Sequence, residues 1–241
     1  MIVLARKTLK HILGAFGYRL ERFNRDYPVL RPLDPKGVEV LADPGFQSSC
    51  REISDLTLLD TERLANLWQL CRLSNPEGQI IEVGAYKGGG ALHLSNSCPH
   101  RKVFICDSFE GFQAIDPKLD NNFSMAMFKD AREQNVRQLF ESRKRKFEVI
   151  RGFFPQSCQG INLRPISFAH VDVDTYKATI ETLLFLHEAM IEKSFIVLDD
   201  YNRRAEGVNK AIIELVSTRR QWIAIPMFPS QAVLIHQSWF S

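Results

Sequence analysis

The sequence predicts an α/β protein: a mostly parallel seven-stranded sheet with helices on both faces and a terminal antiparallel hairpin. Three observations predict it. From Gln79 onward, short β-branched runs alternate with longer helical patterns, the signature of a parallel sheet covered by helices. Successive runs end in Gly or an acid: Glu82 and Gly84, then Asp107, Gly152, Asp172 with Asp174, and Asp199 with Asp200. The last two apolar runs, QWIAIPM and QAVLIHQ, are separated only by a turn. The composition permits one large core, since 45% of the 241 residues are hydrophobic and 24% charged.

Taken in order, MIVLARKTLKHILGAFGYRLERF sets Ile2, Val3, Leu9, Ile12, Leu13, Phe16 and Leu20 near helical spacing with basic residues between them, which predicts an amphipathic helix. Residues 1–25 carry a net +5, so the other 216 residues are slightly acidic and the body is not a nucleic-acid binder by charge. Nowhere is there an apolar run of about 18 residues that would span a bilayer. The basic helix has three candidate partners: an anionic membrane surface, a second subunit of a homo-oligomer, or its own protein body. A connector with Pro28, Pro32, Pro35 and Pro44 follows and reads as a linker or lid. The expected boundary lies between residues 1–53 and a catalytic domain of residues 54–241. Five scattered Cys without a CxxC pair indicate neither a zinc site nor a disulfide framework, and the expected location is cytoplasmic, with peripheral membrane contact if the basic helix binds lipid.

In the body, QIIEVG reads as a strand, GGGALHLSNS as a helix, KVFICD as a strand and MAMFKDAREQNVRQLFESR as a helix. KFEVIRG and ISFAHVDVD are the next strands, TYKATIETLLFLHEAMI a helix and KSFIVLDD a strand. A helix over 206–218 precedes the closing hairpin. Ligands in such sheets sit beyond the carboxyl ends of the strands, where the acids gather.

EVGAYKGGG joins a strand to a helix through Gly84, Gly88, Gly89 and Gly90, a turn that lets a ligand approach the backbone and meet helix N–H groups. A dinucleotide fingerprint needs Gly where this chain has Tyr86, and no GK[ST] follows to make a P-loop. The spacing resembles motif I of class I S-adenosylmethionine-dependent methyltransferases. Asp107, 23 residues after Gly84, stands where a carboxylate accepts hydrogen bonds from ribose hydroxyls. HVDVDTY and LDDYN bring carboxylates to neighbouring strand ends, a cluster that favours a hard cation such as Mg²⁺. Asp174 is expected to cap the following helix instead.

EVGAYKGGGA, CDSFEGF, VDVDTYKAT and VLDDYN, in this order, resemble the macrocin O-methyltransferase family, over roughly residues 55–236. The resemblance implies a Rossmann-like class I methyltransferase that transfers a methyl group from S-adenosylmethionine to a sugar hydroxyl with Mg²⁺. It assigns metal binding to Asp172, Asp199 and Asp200, and cofactor contacts to Glu82, Gly84 and Asp107, with Tyr86, Gly88 and Ser108 beside them. Where the family has Gly, this chain has Val173. The expected acceptor is a small molecule or glycan with vicinal hydroxyls. Asp172 or His170, two residues apart on one strand face, is the expected proton acceptor, with Lys177 a further candidate. Two other functions compete: an NAD(P)-linked oxidoreductase, which lacks both GxGxxG and a Tyr-x-x-x-Lys pair, and a non-catalytic cofactor-binding partner in a glycan-synthesis assembly.

Overall fold

The computed structural model describes residues 18–24, 27–32, 39–201 and 205–240. The chain divides into two compact units, Met1–Pro44 and Gly45–Ser241.

In the first unit, β1 (Tyr18–Asn24) pairs antiparallel with β2 (Tyr27–Pro32). The expected amphipathic helix is therefore corrected over residues 18–23, while residues 1–17 lie outside the described residues. The physical reason is local. YRLERFN and YPVLRP are rich in aromatic and branched residues, Pro28 and Pro32 rule out a helix across the second segment, and cross-strand pairing supplies the backbone partners that a helix would have given.

The second unit begins within α1 (Pro44–Glu52) and continues with α2 (Thr61–Leu73). Asp60 caps α2 by accepting a hydrogen bond from the Arg63 N–H at 3.0 Å. The alternating body follows: β3 (Gln79–Val83), α3 (Gly89–Ser97), β4 (Val103–Asp107), α4 (Glu133–Ser142), β5 (Phe147–Arg151), β6 (Ile166–Val171), α5 (Tyr176–Ala189), β7 (Met190–Leu198), α6 (Glu206–Thr218), β8 (Trp222–Met227) and β9 (Gln231–His236). The strands form one sheet in the order β5-β4-β3-β6-β7-β9-β8. The first five are parallel, and β9 runs antiparallel to both β7 and β8.

Burial explains the sequence runs. β6 is buried along its whole length and β3 along all but its first residue, as central parallel strands require, so both read as continuous apolar stretches interrupted by Glu82 and His170. On the edge strand β8, Ile223 and Ile225 are exposed, and Pro226 is tolerated where no further strand needs its missing N–H. α4 is shorter than its pattern suggests. It begins at Glu133, because the residues before it form turns and Phe128 takes a left-handed φ of 59° while its ring packs against Tyr86 and Phe112. No described helix is long and apolar enough to cross a membrane.

The order of the sheet places the site. After β3 the chain moves outward through β4 to β5, then returns to add β6 on the other side of β3, so the carboxyl ends of β3 and β6 flank the point where the connections diverge. His93 ties α1, α2 and α3 together beneath this point. Its Nδ1 is 2.8 Å from the Ser49 hydroxyl and its Nε2 is 3.0 Å from the Leu64 carbonyl, which suits a neutral ring that donates from Nε2 and accepts at Nδ1. Burial pushes the imidazole down to about 4, with the Leu64 bond opposing. A base depressed by folding contributes stability that is present above its unfolded pKa of about 6.5 and lost as pH falls toward the folded value. Denaturant titrations of wild type and His93→Gln at about pH 7 and pH 5 should therefore diverge, the wild type losing about 2 kcal/mol more over that interval.

Candidate active site

A cavity of about 390 Å³ opens at the carboxyl ends of β3, β4 and β6, a size suited to a small-molecule ligand. Its walls include the glycine turn, Asp107, Ser108, Phe112, Phe128, His170, Asp172, Asp174 and Asp200. Four non-glycine residues that line it hold left-handed backbone: Tyr86 (φ 50°), Phe128 (59°), Asp174 (60°) and Asp200 (59°). Strain gathered at one sheet edge is characteristic of a functional site.

Two glycines have identifiable reasons to be glycine. Gly84 has a φ of 87°, and a Cβ there would meet the Asp172 carbonyl oxygen at 2.0 Å. A Cβ on Gly90 would meet Glu82 Oε1 at 2.2 Å. The turn thus lets β3 and β6 approach at their ends and lets α3 start directly over a buried carboxylate.

That carboxylate, Glu82, is 1% exposed and lies 2.8 Å from His170 Nδ1, its cross-strand partner. Burial raises the Glu82 pKa, with the His170 bond opposing. Burial would lower that of His170, yet the Glu82 bond and the nearby aspartates raise it. Glu82 Oε2 and His170 Nε2 are buried without a hydrogen-bond partner, so each retains one unused polar atom.

Asp107 clamps the glycine turn. Its Oδ2 accepts from the Ala85 and Tyr86 N–H groups at 2.8 Å each, and its Oδ1 accepts from Phe109 N–H at 2.7 Å. Burial raises its pKa and these donors oppose the shift. A carboxylate offers about four acceptor positions, so roughly one remains for a ligand. Ser108 is turned into its own loop, donating to the Gly111 carbonyl at 2.9 Å. Tyr86 reaches across to Asp130, its hydroxyl donating at 2.9 Å, and Lys87 pairs with the same carboxylate at 2.8 Å.

The acids form two overlapping groups. Ligand atoms of His170, Asp172 and Asp199 lie within 4.8 Å of one another, and so do those of Asp172, Asp174 and Asp200. Asp172 belongs to both groups, while Asp199 and Asp200 are divided between them. Burial first, and neighbouring carboxylates next, raise Asp172 and Asp174 well above the usual carboxylate range. Asp174 also belongs here rather than at a helix cap: Thr175 occupies the N-cap position of α5, and Asp174 faces Asp200. Lys177 stands apart, its side chain 57% exposed and paired with Glu181.

Arg63 escapes sequence reasoning altogether. Although distant in the chain, it is buried, and its Nη1 donates to Asp199 Oδ2 at 2.6 Å while Nη2 donates to the Leu58 carbonyl at 2.8 Å. It thereby ties the cavity wall at Leu56–Leu59 to the acid cluster. Only an arginine one turn inside a helix cap was visible in the sequence, which is no signal for a long-range partner.

The sheet order and the glycine turn at its divergence point are those of the class I methyltransferase fold. The chain belongs to the macrocin O-methyltransferase family, whose model matches residues 52–228. It is 23% identical over 162 residues to demethyldecarbamoylnovobiocin O-methyltransferase of Streptomyces niveus, covering 60% of this chain and 62% of that one. Mycinamicin III 3''-O-methyltransferase of Micromonospora griseorubida is 24% identical over 190 residues, 66% of this chain and 74% of that one. The first two relatives it matches are each spanned over 62% of their length. Among solved structures, the O-methyltransferase NovP superposes with a TM-score of 0.64 at 19% identity, over 75% of this chain and 82% of that one. The calicheamicin methyltransferase CalS11 gives 0.59 at 16% identity, over 80% and 93%. Both share the fold.

Removing Arg63 leaves Asp199 buried and uncompensated. Arg63→Leu should cost about 3–5 kcal/mol of unfolding free energy, whereas Arg63→Leu combined with Asp199→Asn should recover most of it, measured by chemical denaturation.

Proposed function

We propose that the chain is an S-adenosylmethionine-dependent O-methyltransferase that uses a divalent hard cation and acts on a hydroxyl of a sugar, in a glycosylated natural product or a polysaccharide. The observation that carries this is one cavity with the glycine turn on one wall and the carboxylate cluster on the other.

The acidic wall favours a cationic sulfonium cofactor over a nicotinamide dinucleotide. Asp172, Asp174 and Asp200 would repel a pyrophosphate, and Tyr86 occupies the position where the dinucleotide turn requires Gly. Asp107 shapes the turn through its three backbone bonds and keeps an acceptor position toward the cofactor, while Gly84 and Gly88 let the ligand come close to the backbone.

The residues fit a hard cation. Carboxylate oxygens dominate the donor set, burial and then neighbouring carboxylates raise the pKa values of Asp172 and Asp174, and the buried unpartnered Asp199 Oδ1 and His170 Nε2 lie in the same cluster. Asp172, Asp199 and Asp200 would hold the ion, with Asp174 and His170 adjoining. When bound, such an ion would acidify and orient a coordinated hydroxyl.

The chain's own residues do the remainder. In-line displacement at the methyl carbon requires the acceptor oxygen opposite the sulfur, and Phe112, Phe128 and Val173 line the space in which an acceptor would be held away from water. The acceptor proton passes to a carboxylate of the cluster. Asp172 and Asp174 both line the cavity and are the carboxylates placed to accept it. His170 is held by Glu82 in a fixed orientation, with a ring nitrogen within 4.8 Å of carboxylate oxygens of Asp172 and Asp199.

Calorimetric titration should show saturable binding of S-adenosylhomocysteine and none of NAD. Methyl transfer to a panel of glycosides with adjacent hydroxyls should fall by about 100-fold or more with EDTA or in Asp172→Asn, with S-adenosylhomocysteine binding retained. Transfer undiminished by both would overturn the cation and leave the cofactor standing.

A further inference from the structure

We propose that Cys71 and Cys98 form a peroxide-sensitive dithiol, an oxidative modification site separate from the catalytic cavity. Cys71 lies in the last turn of α2 and is fully buried, while Cys98 terminates α3 and is partly exposed. The two sulfurs are 3.7 Å apart, with the Cys71 thiol donating to Cys98. A disulfide bond is about 2 Å long, so the sulfurs need approach by less than 2 Å. Neither residue lines the cavity.

Two features distinguish this pair from the other cysteines. The first is a fixed cation. Arg101 is buried and immobilised, donating to the Gly78 carbonyl at 2.7 Å, the Cys71 carbonyl at 3.1 Å, Ser74 Oγ at 2.8 Å and Ser167 Oγ at 2.6 Å. The bond from the Cys71 thiol lowers the Cys98 pKa most; burial opposes it, and Ser97 and the Arg101 charge assist. The second feature is access, since Cys98 is followed by exposed Pro99 and His100. Cys106 and Cys158 are also neighbours, but both are buried. Cys50 is partly exposed, yet burial raises its thiol pKa. Only Cys98 combines thiolate character, exposure and an adjacent resolving thiol, the combination that marks redox-sensitive cysteines.

The chemistry balances with hydrogen peroxide as oxidant. The Cys98 thiolate attacks one peroxide oxygen, the O–O bond breaks, Cys98 becomes a sulfenic acid and hydroxide leaves. The Cys71 thiol then displaces the sulfenic hydroxyl, forming the S–S bond and releasing water. The cross-link joins the end of α2, which carries Arg63, to the end of α3, which begins at the glycine turn.

The test uses the full chain, reduced and then exposed to a small excess of hydrogen peroxide. Free thiols are alkylated and the protein is digested without reductant for mass spectrometry. A cross-linked peptide containing Cys71 and Cys98, lighter by two hydrogens and restored by dithiothreitol, is expected. In Cys71→Ser, Cys98 should instead be trapped as a sulfenic acid by dimedone, and Cys98→Ser should lose the peroxide reaction at both positions. Recovery of both wild-type thiols as alkylated peptides after peroxide would overturn the proposal, as would a cross-link that forms only after denaturation or preferential oxidation of Cys106 and Cys158. The wild-type result stands whether or not the variants fold.

Discussion

The site depends on the buried hydrogen bond between Glu82 and His170. These residues are cross-strand partners on β3 and β6, the two strands at which the sheet changes direction. Two ionisable groups in a dry interior are tolerated only when each satisfies the other, so the pair holds the register of these strands against slippage. A one-residue shift would turn both toward an apolar layer. With the register held, the backbone ladder continues past the strand ends: Asp172 N–H donates to the Val83 carbonyl at 2.9 Å and Asp199 N–H to the Val171 carbonyl at 3.0 Å. The acids therefore stand on hydrogen-bonded backbone, not on free loops.

The same pair links the two halves of the cavity. On one side, Glu82 sits beneath the start of α3, close enough that Gly90 can carry no side chain. On the other, His170 leads into the aspartate cluster. Asp107 performs the corresponding task between β3 and β4, spending its carboxylate largely on backbone N–H groups. Acidic residues here serve both as architecture and as chemistry. The division can be read from their partners: Glu82 and Asp107 are engaged by protein donors, whereas Asp172 and Asp174 are raised by burial and by neighbouring aspartates. Such a cluster costs stability, part of which Arg63 offsets by pairing with Asp199.

Much of this was legible because local chemistry and tertiary role coincide. β6 and β7 announce themselves as apolar runs ending in acids, and the glycine turn reveals itself because close backbone approach excludes other residues. Where a residue's role is defined by a distant partner, legibility fails. Asp174 resembled a helix cap because it precedes α5, yet its companions are Asp172 and Asp200. The segment before α4 has helical composition, but Phe128 is drawn out of a helix by Tyr86 and Phe112. Tyr18–Asn24 has amphipathic spacing and nevertheless pairs as a strand with Tyr27–Pro32.

By itself, the sequence determined the α/β alternation, the closing hairpin, the glycine turn and the set of acids delivered to one sheet edge. Periodicity, β-branching and glycine requirements act over a few residues, so they are written locally. Only the tertiary structure decided that Arg63 neutralises Asp199, that Asp107 clamps the turn, that Asp174 joins the cluster and that Cys71 meets Cys98. Each of these depends on which elements pack side by side, and packing is settled by the burial of the whole core, which no short window of sequence contains.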